Sequence, residues 1–229
     1  MSIWEGERFR DRRQAGQLLA EQLRAVPLVR PVVLAIPRGG VVVGAALAQA
    51  LGAELDVILS RKLRAPFQPE YALGAIAEDG SIILNPDALH LIRDIEEYLE
   101  AERQYQLQEI AERQKLVRAI RPAAEVEGRS VVITDDGVAT GSTALAALQT
   151  VRARHPRELI LAVPVGPPER LRALARHCDR IVYLLAPEDF QAVGQYYVHF
   201  EPVDDAEMVQ ILRSAQQNHR SQNMTGDVG

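Results

Sequence analysis

The sequence predicts an α/β protein with a mostly parallel sheet flanked by helices. Three observations carry that expectation. Short apolar runs with strand character, at residues 32–36, 55–60, 131–133, 158–164 and 180–185, alternate with helical patterns, and such alternation favours parallel strands joined by crossover helices. Two of the runs lead directly into glycine-bearing turns and then apolar helical segments, at Pro37-Arg38-Gly39-Gly40 and at residues 135–143. The chain of 229 residues is 47% hydrophobic and 25% charged, an ordinary globular composition able to bury roughly 70% of its unfolded surface.

Composition also excludes several classes. One cysteine, Cys178, rules out an internal disulfide framework and fits a reducing, cytoplasmic setting. No long uncharged apolar run suggests a membrane span. The first residues, MSIWEGERFRDRR, lack the apolar core of a signal peptide. A net charge of −5 argues against nucleic acid as partner but not against phosphates, which respond to a local field. His155, His177 and His199 are dispersed, so a histidine metal site is not expected.

Residues 11–25 read as an amphipathic helix with Ala15, Leu18, Leu19 and Leu23 on one face. The strand at 32–36 runs into the first glycine turn and a helix at 41–51. A helix start favours anions, two glycines free the backbone, and Arg38 adds a fork of donors. The plainer alternative is a strand-to-helix turn with a solvated arginine. The strand at 55–60 ends in Arg61-Lys62, and in open parallel sheets ligands bind at strand carboxyl ends. Residues 63–74, with Arg64, Pro66 and Pro69, suggest a mobile lid or a plain surface loop. Residues 75–84 suggest a β-hairpin turning at Asp79-Gly80. A helical stretch follows to about residue 121, with an apolar stripe from Leu91 to Ile120 and many charges. It is expected to be bent or divided, and to pack beside the core, cover the site or mediate a dimer; no chemistry is assigned to it.

Residues 130–148, SVVITDDGVATGSTALAAL, organise the chain. An apolar β-branched strand precedes Asp135 and Asp136; a loop of small residues leads into an alanine-rich helix. Free amides at the helix start and the hydroxyls of Thr140, Ser142 and Thr143 suit a phosphate, and Gly141 allows close approach. The two acids suit hydroxyls or a hydrated metal. The pattern therefore asks for a sugar phosphate. An ordinary capped strand-to-helix turn is the alternative; a Walker A loop is not, since no Gly-Lys-Ser/Thr is present. Beyond it come a strand at 158–164, a helix to His177, a strand at 180–185 and a polar tail from about residue 215.

The apolar strand, acid pair, short spacer and Thr-Gly-x-Thr of this stretch resemble the PRPP-binding motif of type I phosphoribosyltransferases. The resemblance covers residues 32 to about 185. It implies a Rossmann-like sheet with a flexible lid, in one domain at 1–214 with a helical insertion at about 87–121 and a flexible tail at 215–229. It implies transfer of a 5-phosphoribosyl group between PRPP and a nitrogenous base, with pyrophosphate released and magnesium held mainly by PRPP and water. Ala139, Thr140, Gly141, Ser142 and Thr143 would hold the 5-phosphate. Asp135 and Asp136 would face the ribose hydroxyls. Arg38, Gly39, Arg61, Lys62 and Arg64 would face the pyrophosphate. Beyond the stretch of resemblance, the aromatic composition of residues 195–200 suggests a border of the base pocket. Ala139 stands where hypoxanthine-type members carry an aspartate, as in adenine-type members; those use a lid glutamate, and Glu70 is the candidate stand-in. Asp135, Asp136, Lys62 and Glu70 are thus the catalytic candidates. A PRPP-sensing protein without turnover and a PRPP synthase relative are the other readings. The first lacks an apparent helix-turn-helix or basic arm, the second an evident ATP site.

Overall fold

The structure is a computed structural model that describes residues 7–66, 72–84 and 96–226. In chain order its elements are α1 (Arg12–Leu23), β1 (Val32–Ala35), α2 (Gly39–Leu51), β2 (Glu54–Val57), β3 (Ser60–Arg64), β4 (Ala72–Ala77) and β5 (Ile82–Leu84). They continue with α3 (Glu96–Arg118), β6 (Ser130–Thr134), α4 (Ser142–Arg152), β7 (Glu158–Val165), α5 (Pro168–Leu174), β8 (Arg180–Leu185) and α6 (Asp205–Gly226). Five strands form a sheet in the order β2-β1-β6-β7-β8, with every neighbour pair parallel. The mostly parallel sheet flanked by helices is the predicted fold class.

The strands β1, β6 and most of β7 are buried on both faces, which is why they read as continuous apolar runs rather than alternations. Val33, Ala35, Val132, Ile160 and Ala162 pack with residues of α1, α2 and α6. Leu34, Ile133, Leu159, Leu161 and Val163 point the other way, against α4 and α5. Helix α1 begins at Asp11, whose carboxylate accepts from the Gln14 amide at 2.8 Å, a standard N-cap bond. It lies tight on α2: a Cβ at Gly16 would stand 2.4 Å from the Val43 carbonyl oxygen.

The expected strand at 55–60 is two strands in two sheets. The Ile58 amide still donates to Ala35 O at 3.0 Å, but the chain then leaves the parallel sheet. Residues 60–64 pair antiparallel with β4, and β4 pairs with β5 around a turn containing Gly80 at φ 82°. Arg61 and Lys62 thus sit in an antiparallel strand of a second, three-stranded sheet. Leu63 and Arg64 belong to β3 and residues 72–74 to β4, so these parts of the expected lid are sheet. Residues 67–71, including Glu70, lie outside the described residues, as do residues 85–95 of the insertion.

Where described, the insertion is one unbroken helix of 23 residues, about 35 Å long at 1.5 Å per residue. Its far end is bolted to both sheets. Arg118 donates to both oxygens of Asp56 at 3.0 and 3.1 Å and to Glu78 at 2.7 and 2.9 Å. Helix α6 keeps a helical backbone to Gly226, so the segment expected to fray from residue 215 continues the helix there. Its Met208 and Leu212 are buried in the core, which anchors the N-terminal half.

Candidate functional site

At the carboxyl end of β6 the chain presents Asp135 and Asp136 beneath the start of α2. The packing is close: a Cβ at Gly39 would lie 2.0 Å from Asp136 Oδ2, and one at Gly40 would lie 2.9 Å from the Asp135 Cα. Only glycine fits at either position. Arg12, from the first turn of α1, donates from Nε to Asp136 Oδ2 at 2.8 Å, and through a terminal nitrogen to the Glu201 carbonyl at 2.8 Å. Its guanidinium lies 3.8 Å over the Phe200 ring. The Tyr197 hydroxyl donates to the Asp136 carbonyl at 2.7 Å, and Phe200 stacks on Tyr197 with centroids 5.0 Å apart. Tyr197 is buried, so the aromatic segment expected to border a base pocket instead places this ring behind the acid pair as its support.

Burial and the neighbouring Asp136 carboxylate push Asp135 well above the ordinary carboxylate range. Burial raises Asp136 as well, with the Arg12 hydrogen bond and charge working against it. Burial also holds the Tyr197 phenol protonated far beyond its usual range. Asp135 Oδ1 accepts from the Asp136 amide at 2.8 Å. Asp135 Oδ2 and Asp136 Oδ1 have no hydrogen-bond partner among the described residues, leaving one acceptor oxygen on each acid.

The loop that follows is held at its base and open at its rim. Gly137 packs on Val193 and Val165, and the Val138 amide donates to Val165 O at 2.8 Å. Ala139, Thr140 and Thr143 are exposed. Gly141, at φ 81°, caps α4 without a side-chain bond. The Thr140 and Ser142 hydroxyls lie 3.0 Å apart. The amides of Thr140, Gly141 and Thr143 have no partner among the described residues, so the rim offers backbone donors and hydroxyls at a positive helix end.

The expected cations lie on three elements. Arg38 caps α2 with no side-chain capping bond and reaches Asp205 at 3.7 Å. Arg61 donates to Gln106 at 2.6 Å and stands 3.7 Å from Glu109. Arg64, expected to await an anion, instead gives Nε and Nη2 to Glu102 at 2.8 and 2.9 Å, while its own amide donates to the same carboxylate at 3.1 Å. Glu102 is buried. Arg61, Lys62 and Arg64 share a cleft of about 220 Å³ that reaches from Pro37 to Thr143, with α3 as its far wall. The sequence reading missed Arg12, Glu102 and Gln106, and it gave Tyr197 and Phe200 a different place, beside the base rather than behind the acid pair. Arg12 looks like the solvent face of an amphipathic helix, and nothing local distinguishes it.

The sequence matches the phosphoribosyl transferase domain family over residues 11–201. It is 42% identical over 207 residues to proteins of two Mycobacterium tuberculosis strains that are provisionally named phosphoribosyl transferases. That alignment covers 90% of this chain and 47% of theirs, so the chain spans about half the length of these relatives. The crystal structure of TT1426 from Thermus thermophilus is 47% identical and superposes with a TM-score of 0.87, covering 90% of this chain and 98% of that one. The family match runs from the residue that caps the Arg12 helix to Glu201, whose carbonyl binds Arg12, and the chain belongs to the phosphoribosyl transferase domain family.

Proposed function

We propose that the chain transfers a 5-phosphoribosyl group between PRPP and a nitrogenous base with release of pyrophosphate. The observation that carries this reading is the pairing of two half-satisfied carboxylates with an amide-rich loop one step along the chain. A ribose diol on Asp135 and Asp136 would place its 5-phosphate on residues 139–143, and its 1-pyrophosphate toward Gly39, Arg61 and Lys62. Magnesium would travel with the pyrophosphate, held by its oxygens and water. Among the described residues, no group of three histidine, cysteine, aspartate or glutamate side chains could hold an ion alone.

In the reaction the C1–oxygen bond breaks, pyrophosphate leaves with the electron pair, and the base nitrogen bonds to C1. Positive charge develops on the ribose as the bond breaks. Two carboxylates forced together under α2 are poorly solvated and mutually repelled, and a growing cation beside them relieves both penalties. The stabilisation is therefore larger in the transition state than in the ground state, as catalysis requires. The cations of the cleft take the charge of the leaving group. Glu70, outside the described residues, stays the candidate acceptor for the proton that the base gives up.

Isothermal titration with PRPP and magnesium, followed by product analysis over a panel of purine and pyrimidine bases, tests the reading. Binding and transfer to one base are expected. Absence of PRPP binding overturns it, and binding without turnover on any base converts the protein into a PRPP sensor.

A further inference from the structure

Helix α3 carries an arginine into the cleft that no sequence motif assigns. Arg113 lines the same cavity as Arg61, Lys62 and Arg64, with Glu109, one turn earlier on the same helix, as the acidic side chain of the lining. Four cations line this one cavity; Arg64 is held by the buried Glu102 and Arg61 faces Glu109. Arg113 is also poorly matched where it rests. Its Nε lies 3.6 Å from Asp205 Oδ1, and Arg38, at the start of α2, reaches the same oxygen at 3.7 Å from the other side. A guanidinium that meets a carboxylate well closes to about 2.7–2.9 Å with two parallel bonds. Here one oxygen is shared by two arginines and hydrogen-bonds to neither. Both Arg113 Nε and Asp205 Oδ1 are buried atoms without a hydrogen-bond partner among the described residues.

We infer that Arg113 and Arg38 form an anion clamp for the diphosphate end of the ligand, and that Asp205 is its placeholder. The inference rests on the PRPP reading above and deepens it. A phosphate oxygen entering the cleft offers Arg113 the close charge-assisted contact that Asp205 does not. Asp205 lies in the first turn of α6 and is about two-fifths exposed, so it loses little when displaced. Its charge meanwhile keeps two arginines from repelling each other in the empty state. Specificity follows: a ligand with a single charge at this end gains less than one with a diphosphate, because it cannot satisfy both forks.

Titration of the full chain with sodium pyrophosphate and magnesium, and separately with PRPP and magnesium, tests the clamp. Wild type is compared with Arg113→Gln, Arg113→Lys and Asp205→Asn, each checked for fold by circular dichroism. Arg113→Gln is expected to weaken pyrophosphate binding about tenfold or more, which is about 1.4 kcal/mol per factor of ten. Arg113→Lys should fall between, keeping the charge but not the fork. Asp205→Asn should tighten binding severalfold, an outcome that a purely structural role for the carboxylate would not give. Equal pyrophosphate affinity in wild type and Arg113→Gln overturns the clamp whatever PRPP does. Pyrophosphate binding that depends on Arg113, without PRPP binding, keeps the clamp and sinks the transferase reading. Failure of wild type to bind either anion overturns both.

Discussion

Replacing Gly39 by alanine puts a methyl group where the acid pair already is. The new Cβ would stand 2.0 Å from Asp136 Oδ2 and 2.7 Å from its Cγ, whereas ordinary contact begins at 3.4 Å. The carboxylate must retreat by about 1.4 Å, the difference of those distances. Arg12 cannot follow, because its Nε lies 3.1 Å from the same Cβ and its plane is held on Phe200 and the Glu201 carbonyl. The charge-assisted bond at 2.8 Å is therefore broken or badly bent, a loss of about 1.5–3 kcal/mol. Overpacking adds about 1–3 kcal/mol, offset in part by alanine's better helix propensity, about 1 kcal/mol. A net loss of about 1.5–5 kcal/mol should lower Tm by about 3–20 °C. On the proposed function, which sets the ribose on this acid, PRPP affinity should fall more than tenfold. The control is Gly52→Ala, at φ 61° with nothing within 4 Å of the new Cβ. It should cost about 1–2 kcal/mol in backbone strain and leave ligand binding untouched. Thermal melts and PRPP titrations of both variants decide the matter: a Gly39→Ala protein that melts and binds like wild type would refute the packing argument.

Two carboxyl groups should respond to pH with opposite sign. Glu102 is lowered: burial pushes it up, but bonds from Arg64 and Gln106 outweigh that. Its stabilisation is present above the ordinary carboxylate pKa and is lost as pH falls through the lower folded value. Arg64 is about one-third exposed and can rehydrate, so Glu102→Ala should cost only about 1–3 kcal/mol near neutrality, with the deficit shrinking in acid when followed by urea unfolding at several pH values. Asp135 is raised by burial and by Asp136, so its favourable contribution is full below the ordinary pKa and is lost as pH rises through the folded value. Asp135→Asn should therefore melt higher than wild type at neutral pH, the gain fading on acidification, and the proposed function adds that transfer to a base should be lost; a lower Tm at neutral pH would contradict the burial argument.

The central stretch was legible because its chemistry is local. Strand, acids, glycine and hydroxyls follow one another within twenty residues, and each backbone demand shows in its residue type. The supports of that site were not legible, because they come from far along the chain. Arg12 meets Asp136 across 124 residues and Tyr197 meets it across 61, and neither contact leaves a periodic trace. The second sheet was hidden for a different reason. Residues 54–64, ELDVILSRKLR, form an apolar run continuing into basic residues, with no glycine or proline to mark where the chain changes sheets. Only pairing with β4, outside this stretch, separates β2 from β3. Helix α3 was read correctly as helical where described, but its buried stripe includes Glu102 and Gln106. A polar stripe looks like solvent-facing surface until its arginine partners are known.

Asp56 bears on any attempt to pare this protein down to a minimal scaffold. It sits on the edge strand β2, 1% exposed, and its oxygens accept from Arg118, from the amide of Ala124 and from the amide of Val57. The first two belong to the insertion or its exit. An engineer who excised that insertion to graft the loop at 137–143 elsewhere would leave a negative charge held by a single backbone amide in a dry wall of the sheet. Removing one member of such a buried pair costs about 3–5 kcal/mol, a large share of the about 5–15 kcal/mol that holds a typical domain together. A shortened version therefore needs an apolar residue at position 56 from the outset, so that the helix and the acid are discarded together.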